Sequence, residues 1–395
     1  MFALAAAVTS LFIIYTGVGS LLLPFQIGQL APGSKIAILS IFTSVGTLIA
    51  LVVNPLAGAF SDRTTSRFGR RRPWILVGSL LTLLGLFLMW QAKTLPLLFI
   101  GYCLIELFSS FALAPLTATI PDHVPASQRG TVSGIYNLAL GLGSILGAVI
   151  TGQLFKNAPT NAYIALLVIL FVATSPFALF LSDKALPKGS VPPFHLGAFL
   201  KGFWVSPRKY PDFGWAWLTR FIPFVGYFLG ITYTFYYLQD VVKYANPLQG
   251  ASTVTITIAV VGLFSTFFGG FLSDRFKRRK PFVIMGISIM GLSMLLLALF
   301  PIWLVVIIAG ALLGLGVGTY LAVDIAIITL ALPSTKDRAK DMGIVNIANA
   351  LPRSLVPVLA APFLILTHSY SSLYFIAAIF LLLGIFTVLP IKAVR

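Results

Sequence analysis

A single cysteine, Cys103, stands among the 395 residues, and it lies inside an apolar run. That excludes a disulfide framework and a thiolate metal site. Histidine is nearly as scarce. His123, His195 and His368 are scattered, without metal-ligand spacing and without a nucleophile beside a base. No Gly-x-x-x-x-Gly-Lys-Ser/Thr loop is present, which disfavours an ATP-driven pump. No cofactor is expected, so energy for any work would come from an ion or solute gradient. Charge is the largest shortage: 9% of residues are charged, where a soluble protein carries about 25%.

What fills the space is apolar. Hydrophobic residues make up 58% of the chain, in recurring runs of about 18 to 25 residues, the length a helix needs to cross a bilayer. The first run is not a cleavable signal, because similar runs follow without a break into soluble sequence. Hydropathy predicts twelve helices, near 3–27, 35–60, 74–92, 95–120, 129–155, 160–182, 213–240, 247–273, 282–300, 303–330, 339–366 and 370–391.

The net charge of +17 would suit nucleic acid if it were spread over a surface, but it is not. Twenty-one of the 27 Lys and Arg fall on alternate connections, from Arg63, Arg67 and Arg70 to Arg275, Arg278 and Lys280, whereas the opposite connections hold only Lys35, Lys93, Lys156 and Lys243. The positive-inside rule places the rich side, and both termini, in the cytoplasm. The charge is a topology signal, and no nucleic-acid partner is expected. The lipid bilayer is the expected surroundings, in a multi-pass protein of the cell membrane.

The longest connection, rich in Pro and Lys, divides the chain into a six-helix bundle over 1–182, a cytoplasmic linker over 183–212 and a second six-helix bundle over 213–395. The two halves repeat. Gly58-Ala59-Phe60-Ser61-Asp62-Arg63 precedes Arg70-Arg71-Arg72-Pro73, and Gly270-Phe271-Leu272-Ser273-Asp274-Arg275 precedes Arg278-Arg279-Lys280-Pro281. Ser133-Gly134-Ile135-Tyr136-Asn137-Leu138-Ala139 answers to Met342-Gly343-Ile344-Val345-Asn346-Ile347-Ala348. The offsets, 212 and 209 residues, indicate duplication. Duplicated halves suit alternating access about a site near the midplane.

Gly-x-x-x-Asp-Arg with a basic cluster, after helices two and eight, resembles the signature loop of the major facilitator superfamily. That resemblance implies an all-α membrane fold of twelve helices in two pseudo-symmetric bundles. It also implies a cytoplasmic gating motif of Gly58, Asp62, Arg63 and Arg70 with Gly270, Asp274 and Arg275, latching the halves in one state. The alternative for the arginines is plain topological anchoring. A narrower likeness is carried by Ser61 to Pro73, by Leu21-Leu22-Leu23-Pro24-Phe25-Gln26 and by Gly101-Tyr102-Cys103-Leu104-Ile105-Glu106-Leu107. These are similar to stretches of the plant sucrose/proton symporters and their animal and bacterial relatives, where the last carries an essential acid.

Four charges lie well inside predicted helices: Glu106, Arg220, Asp324 and Arg353. Each should be paired, protonated or facing water, since a charge at that depth costs at least about 2.5–3.5 kcal/mol. Glu106, about 16 Å into helix four, has the place of a proton-coupling acid or of a glutamate held by a structural partner. Arg220 and Asp324 match in depth at roughly 11–12 Å and are predicted to pair as cavity charges. Arg353 has three roles open: reaching Asp324, snorkelling or binding substrate. For sugar hydroxyls and rings the binding candidates are Gln26, Gln29, Asn54, Tyr233, Tyr236 and Asn349, with Asn137, Asn346, Tyr237 and Gln239 behind them. Gly143 with Gly147, and Gly310 with Gly314 and Gly318, are packing faces.

The expectation is a secondary transporter, not an enzyme. It would be a proton-coupled symporter of a small-molecule solute, a sugar or glycoside, functional as a monomer, with sodium coupling still open. The rivals are a proton-driven exporter of sugars or drugs and a non-transporting sensor or membrane scaffold.

Overall fold

The computed structural model describes residues 2–125, 128–181, 183, 197, 210–276, 278–331 and 338–391; the predicted linker lies almost wholly outside them. The chain divides into two compact units, Met1–Phe194 and His195–Arg395. The first unit contains α1 (Phe2–Leu30), α2 (Lys35–Asp62), α3 (Arg72–Trp90), α4 (Leu95–His123), α5 (Arg129–Ala148, extended by Val149–Leu154) and α6 (Ala162–Phe180). The second contains α7 (Pro211–Thr232, then Thr234–Asp240), α8 (Pro247–Phe276), α9 (Lys280–Leu299), α10 (Trp303–Ala331), α11 (Arg338–Thr367) and α12 (Tyr370–Val388).

Among the described residues, eleven helices are long and apolar enough to cross a membrane, and the bent α7 is the twelfth. A helix satisfies its own backbone polar groups, which is what a hydrocarbon surrounding demands. Their outward faces are apolar to match: Phe264, Phe267, Phe268 and Phe271 of α8 are all exposed. Proline sets the starts of α3 (Pro73), α4 (Pro96), α7 (Pro211) and α9 (Pro281). At the first turn its missing N–H goes unneeded and its φ is already helical.

Packing repeats with the sequence. In the first unit α1 packs on α5 and α6, α4 on α2 and α3, and α3 on α6. In the second, α7 packs on α11 and α12, α10 on α8 and α9, and α9 on α12. The two neighbour maps superimpose with a shift of six helices, so the duplication read from motif offsets is also one of tertiary contacts. The glycine faces lie where helices touch most closely. A Cβ on Gly314 of α10 would sit 2.5 Å from the Ile258 carbonyl oxygen of α8, and one on Gly143 of α5 would sit 2.7 Å from the Thr9 carbonyl oxygen of α1.

One element departs from expectation. The run 213–240 reads as a single helix, but α7 bends by 40° between Thr232 and Thr234. Tyr233, at φ −108° and ψ 14°, leaves the helical region. The local sequence Gly230-Ile231-Thr232-Tyr233-Thr234 joins a glycine to β-branched and aromatic residues, all weak helix formers. Hydropathy carries no trace of such a break.

Candidate functional site

Glu106 sits on the inner face of α4, 3% exposed. Its position is set by a tight crossing with α2. A Cβ on Gly46 would meet Tyr102 Cε1 at 2.5 Å and Glu106 Cγ at 3.0 Å, so only glycine leaves room for that pair of side chains. Ser110 donates to the Glu106 carbonyl oxygen at 2.8 Å, and Ser109, on the next turn, accepts from Tyr15 of α1 at 2.9 Å. The turn of α4 that carries Glu106 is thus tied to α1 through the Tyr15–Ser109 hydrogen bond inside an apolar bundle.

The second unit holds two further buried charges. Arg220 of α7 is 6% exposed and Asp324 of α10 is 2% exposed. Arg220 Nη1 lies 3.3 Å from Asp324 Oδ2, and Arg220 Nε donates to Asn349 Oδ1 of α11 at 2.6 Å. Tyr320 Oη is 2.9 Å from Asp324 Oδ1 and 3.1 Å from the Thr219 carbonyl oxygen of α7. Asn349 therefore orients the guanidinium from one side while the carboxylate holds it from the other. Tyr320 has no counterpart among the sequence candidates. Nothing distinguishes it from the other 12 tyrosines except its place one turn before Asp324. Arg353 is exposed and acts electrostatically on Tyr227 of α7.

The remaining candidates separate by burial. Gln26 is buried, with its amide donating to the Met89 carbonyl oxygen at 3.1 Å and accepting from Tyr163 Oη at 2.6 Å. Tyr233 and Tyr236 are buried in the second unit, and Tyr233 donates to the Pro357 carbonyl oxygen at 3.0 Å. Tyr237 likewise donates to the Leu297 carbonyl oxygen at 2.8 Å. Gln29, Asn137 and Gln239 are exposed, and Asn54 and Asn349 are half-buried. The Asn346 side chain lies outside the described residues.

At the end of α2 the hub of the charged loop is Arg71, 3% exposed. It pairs with Asp62, lies 3.0 Å from Asp122 Oδ2 at the end of α4, and donates to Ser61 Oγ at 2.6 Å. Arg70 reaches the same Asp122 oxygen at 2.5 Å, while Arg63 donates back to the Ala59 carbonyl oxygen at 3.0 Å. The sequence pattern names Asp62 and Arg70 but passes over Asp122 and Asp183. The Asp183 carboxylate accepts from the Arg71 N–H and, at 3.0 Å, from the Arg72 N–H, so it caps the start of α3. Gly69, at φ +100°, makes the turn that admits it; a Cβ there would lie 2.5 Å from Asp183 Oδ2. In the matching loop of the second unit Arg275 is exposed, and the Asp274 side chain lies outside the described residues. A Cβ on Gly58 or Gly270 would meet nothing within 4 Å, so neither is required to be glycine by packing within its own unit.

Burial alone would raise the Asp122 carboxyl, but the Arg70 and Arg71 guanidiniums outweigh it and hold the group below its ordinary value. A lowered folded value means the stabilisation is complete above the unfolded value and is lost only as pH falls through the folded one, below about 4. Asp122→Asn should therefore lower thermal stability by at most about 1 kcal/mol, since the carboxylate is partly solvated, and equally at pH 5 and pH 7. A deficit that changes between those two pH values would show that Asp122 titrates within the window.

The Major Facilitator Superfamily model matches residues 2–266 and 247–394. Among curated relatives, the sucrose transport protein SUC3 of Arabidopsis thaliana is 29% identical over 124 residues, 26% of this chain and 21% of that one. The general alpha-glucoside permease of Schizosaccharomyces pombe is 32% identical over 124 residues, 27% and 22% of the two chains. The human proton-associated sugar transporter A is 32% identical over 123 residues, 27% and 16%. The matched stretches thus span about a fifth of the length of these relatives. A bacterial homologue of the human lysosomal transporter Spinster, solved in an inward-facing and occupied conformation, shares the fold at a TM-score of 0.72 and 17% identity, over 100% of this chain and 96% of that one. The multi-pass helical architecture, the duplicated loop motifs and the family match over nearly the whole chain agree: this chain belongs to the major facilitator superfamily.

Proposed function

We propose that this chain is a proton-coupled symporter of a sugar or glycoside that works by alternating access. The observation that carries the reading is Glu106, a carboxyl group 3% exposed in the middle of a membrane-spanning helix. A carboxyl group so placed meets water only when one face of the bundle opens, which is the access a coupling acid needs. The named relatives, two of them transporters of sucrose or alpha-glucosides and one a proton-associated sugar transporter, support the solute class. Arg220, Asp324 and Asn349 supply charge and hydrogen bonding in the second unit. Arg353, Gln29 and Asn54, with Asn137 and Gln239 behind them, are exposed or half-buried polar groups able to meet solute. Gln26, Tyr233 and Tyr236 keep their places as candidates only if a solute displaces their present partners. The loop residues Gly58, Asp62, Arg63 and Arg70 with Gly270, Asp274 and Arg275 are the proposed gate. The charge asymmetry supports insertion in the cell membrane with both termini cytoplasmic.

The test is a panel of sucrose, maltose and other glucosides in proteoliposomes of known orientation with an imposed pH gradient. Accumulation of one sugar on the alkaline side supports the reading. Movement of sugar against the proton gradient would identify an exporter instead, and saturable binding without flux would identify a sensor.

A further inference from the structure

Tyr320 has one hydroxyl proton and two acceptors. Its Oη lies 2.9 Å from Asp324 Oδ1, on its own helix, and 3.1 Å from the Thr219 carbonyl oxygen on α7. The second acceptor is unusual. In a regular helix the Thr219 carbonyl would accept from the N–H of residue 223, but that residue is Pro223, which has none. The orphaned carbonyl lies in a buried segment, where Thr219 is 2% exposed, and it needs a donor from outside its helix. Asp324 is short of donors as well. Its Oδ2 has no hydrogen bond among the described residues and faces Arg220 Nη1 at 3.3 Å.

We propose that Tyr320 is a positioning residue that transmits the ionisation state of Asp324 to the proline break of α7. When Asp324 is ionised, its charge draws the Tyr320 O–H, because hydrogen bonds to an ionised acceptor are about twice as strong as neutral ones. The Thr219 carbonyl is then under-supplied and the α7 backbone is free to open at Pro223. When Asp324 takes a proton from water, its demand falls, the Tyr320 O–H turns about the Cζ–Oη bond, and the Thr219 carbonyl gains its donor. The net change is the proton on Asp324, which leaves Arg220 without its counter-charge and with Asn349 Oδ1 as its remaining acceptor.

The surroundings of Asp324 are simple enough for the device to work. From α7 it faces Arg220, and from α10 itself Tyr320. The neighbouring α8 and α9 add no ionisable group acting on it among the described residues. From α11 come uncharged Asn349 and, further along, Arg353, which acts on Tyr227 one turn past Pro223. The Tyr320 ring also packs edge-on against Phe224, the residue after the proline, with centroids 6.0 Å apart.

The proposal shares with the proposed function only the premise of proton uptake, and its test needs no solute. Trp217 lies on α7 one turn before Phe221, stacks on that ring, and donates to the Ile344 carbonyl oxygen of α11 at 3.1 Å, so its emission reports movement of α7. The full chain would carry Trp217 as its sole tryptophan, in lipid nanodiscs, and would be titrated with acid. Infrared absorption of the protonated carboxylic acid and Trp217 emission would be followed together. The two signals should share a midpoint in the parent, and Asp324→Asn should remove that component from both. Tyr320→Phe should keep the carboxylic acid signal but shrink the Trp217 response about five-fold, the population change that one net hydrogen bond supports. Pro223→Ala returns an N–H to Thr219 while leaving Tyr320 and Asp324 in place, and should have the same effect. It decides the matter alone should Tyr320→Phe fail to fold. A full Trp217 response in Pro223→Ala or in folded Tyr320→Phe, or an unchanged acid signal in Asp324→Asn, overturns the proposal. Failure of every sugar in the uptake panel would leave it standing.

Discussion

Removing either partner of the Arg220–Asp324 pair alone should cost the protein about 3–5 kcal/mol, because each single change strands an uncompensated buried charge. The partners are 6% and 2% exposed, too dry for water to take over. Replacing both at once, Arg220→Met with Asp324→Leu, should recover most of that loss, since a well-packed apolar pair is often no less stable than a buried ion pair. Thermal unfolding of the purified variants in lipid gives the three numbers. Singles that unfold within about 1 kcal/mol of the parent would mean the pair behaves as a solvated one. Reversing both charges together should restore part of what either single reversal destroys. The restoration would be partial, because Asn349 now accepts from Arg220 and Tyr320 donates to Asp324, and in the swapped pair both would have to reverse their hydrogen bonds.

Glu106→Gln should abolish uphill uptake while sparing exchange. A gradient of one pH unit is worth about 1.4 kcal/mol per proton, enough for about ten-fold accumulation. Glutamine keeps the shape of the side chain but cannot titrate, so the accumulation ratio should fall to about one while counterflow of labelled against unlabelled sugar persists. Undiminished accumulation would remove Glu106 from the coupling. Gly46→Val tests the same place from the other side of the crossing. It presses on Tyr102 and on Glu106 Cγ, and should impair uptake with the acid itself intact.

Some of this was legible in the residue string for definite physical reasons. The bilayer imposes helix length, so hydropathy finds the spans, and two copies of one loop motif at offsets of 212 and 209 residues reveal the duplication. Arg220 and Asp324 could be matched because opposite charges at equal depth leave few other partners. What was not legible depends on contacts distant in sequence. Asp122 and Asp183 belong to the Arg71 cluster only because the ends of α4 and α6 come beside the start of α3. Asn349 looked like one polar candidate among several, until α11 brought it to within 2.6 Å of Arg220. The bend at Tyr233 leaves no mark on an apolar run, and Tyr320 acquires its meaning from a proline about a hundred residues away. A glutamine such as Gln26 reads as a free polar group in any one-dimensional scan, whereas its amide here joins α1 to α3 and α6.

Asp183 has one more consequence, for anyone who wishes to express the two halves as separate polypeptides. The aspartate looks like the first residue of the connection, yet its carboxylate closes the start of α3 through the Arg71 and Arg72 N–H groups. A cut on its N-terminal side would hand that acceptor to the wrong fragment and leave two donors bare in the amino-terminal piece. A cut just after it keeps the piece whole, and co-expressed fragments divided there should reassemble more readily than fragments divided two residues earlier.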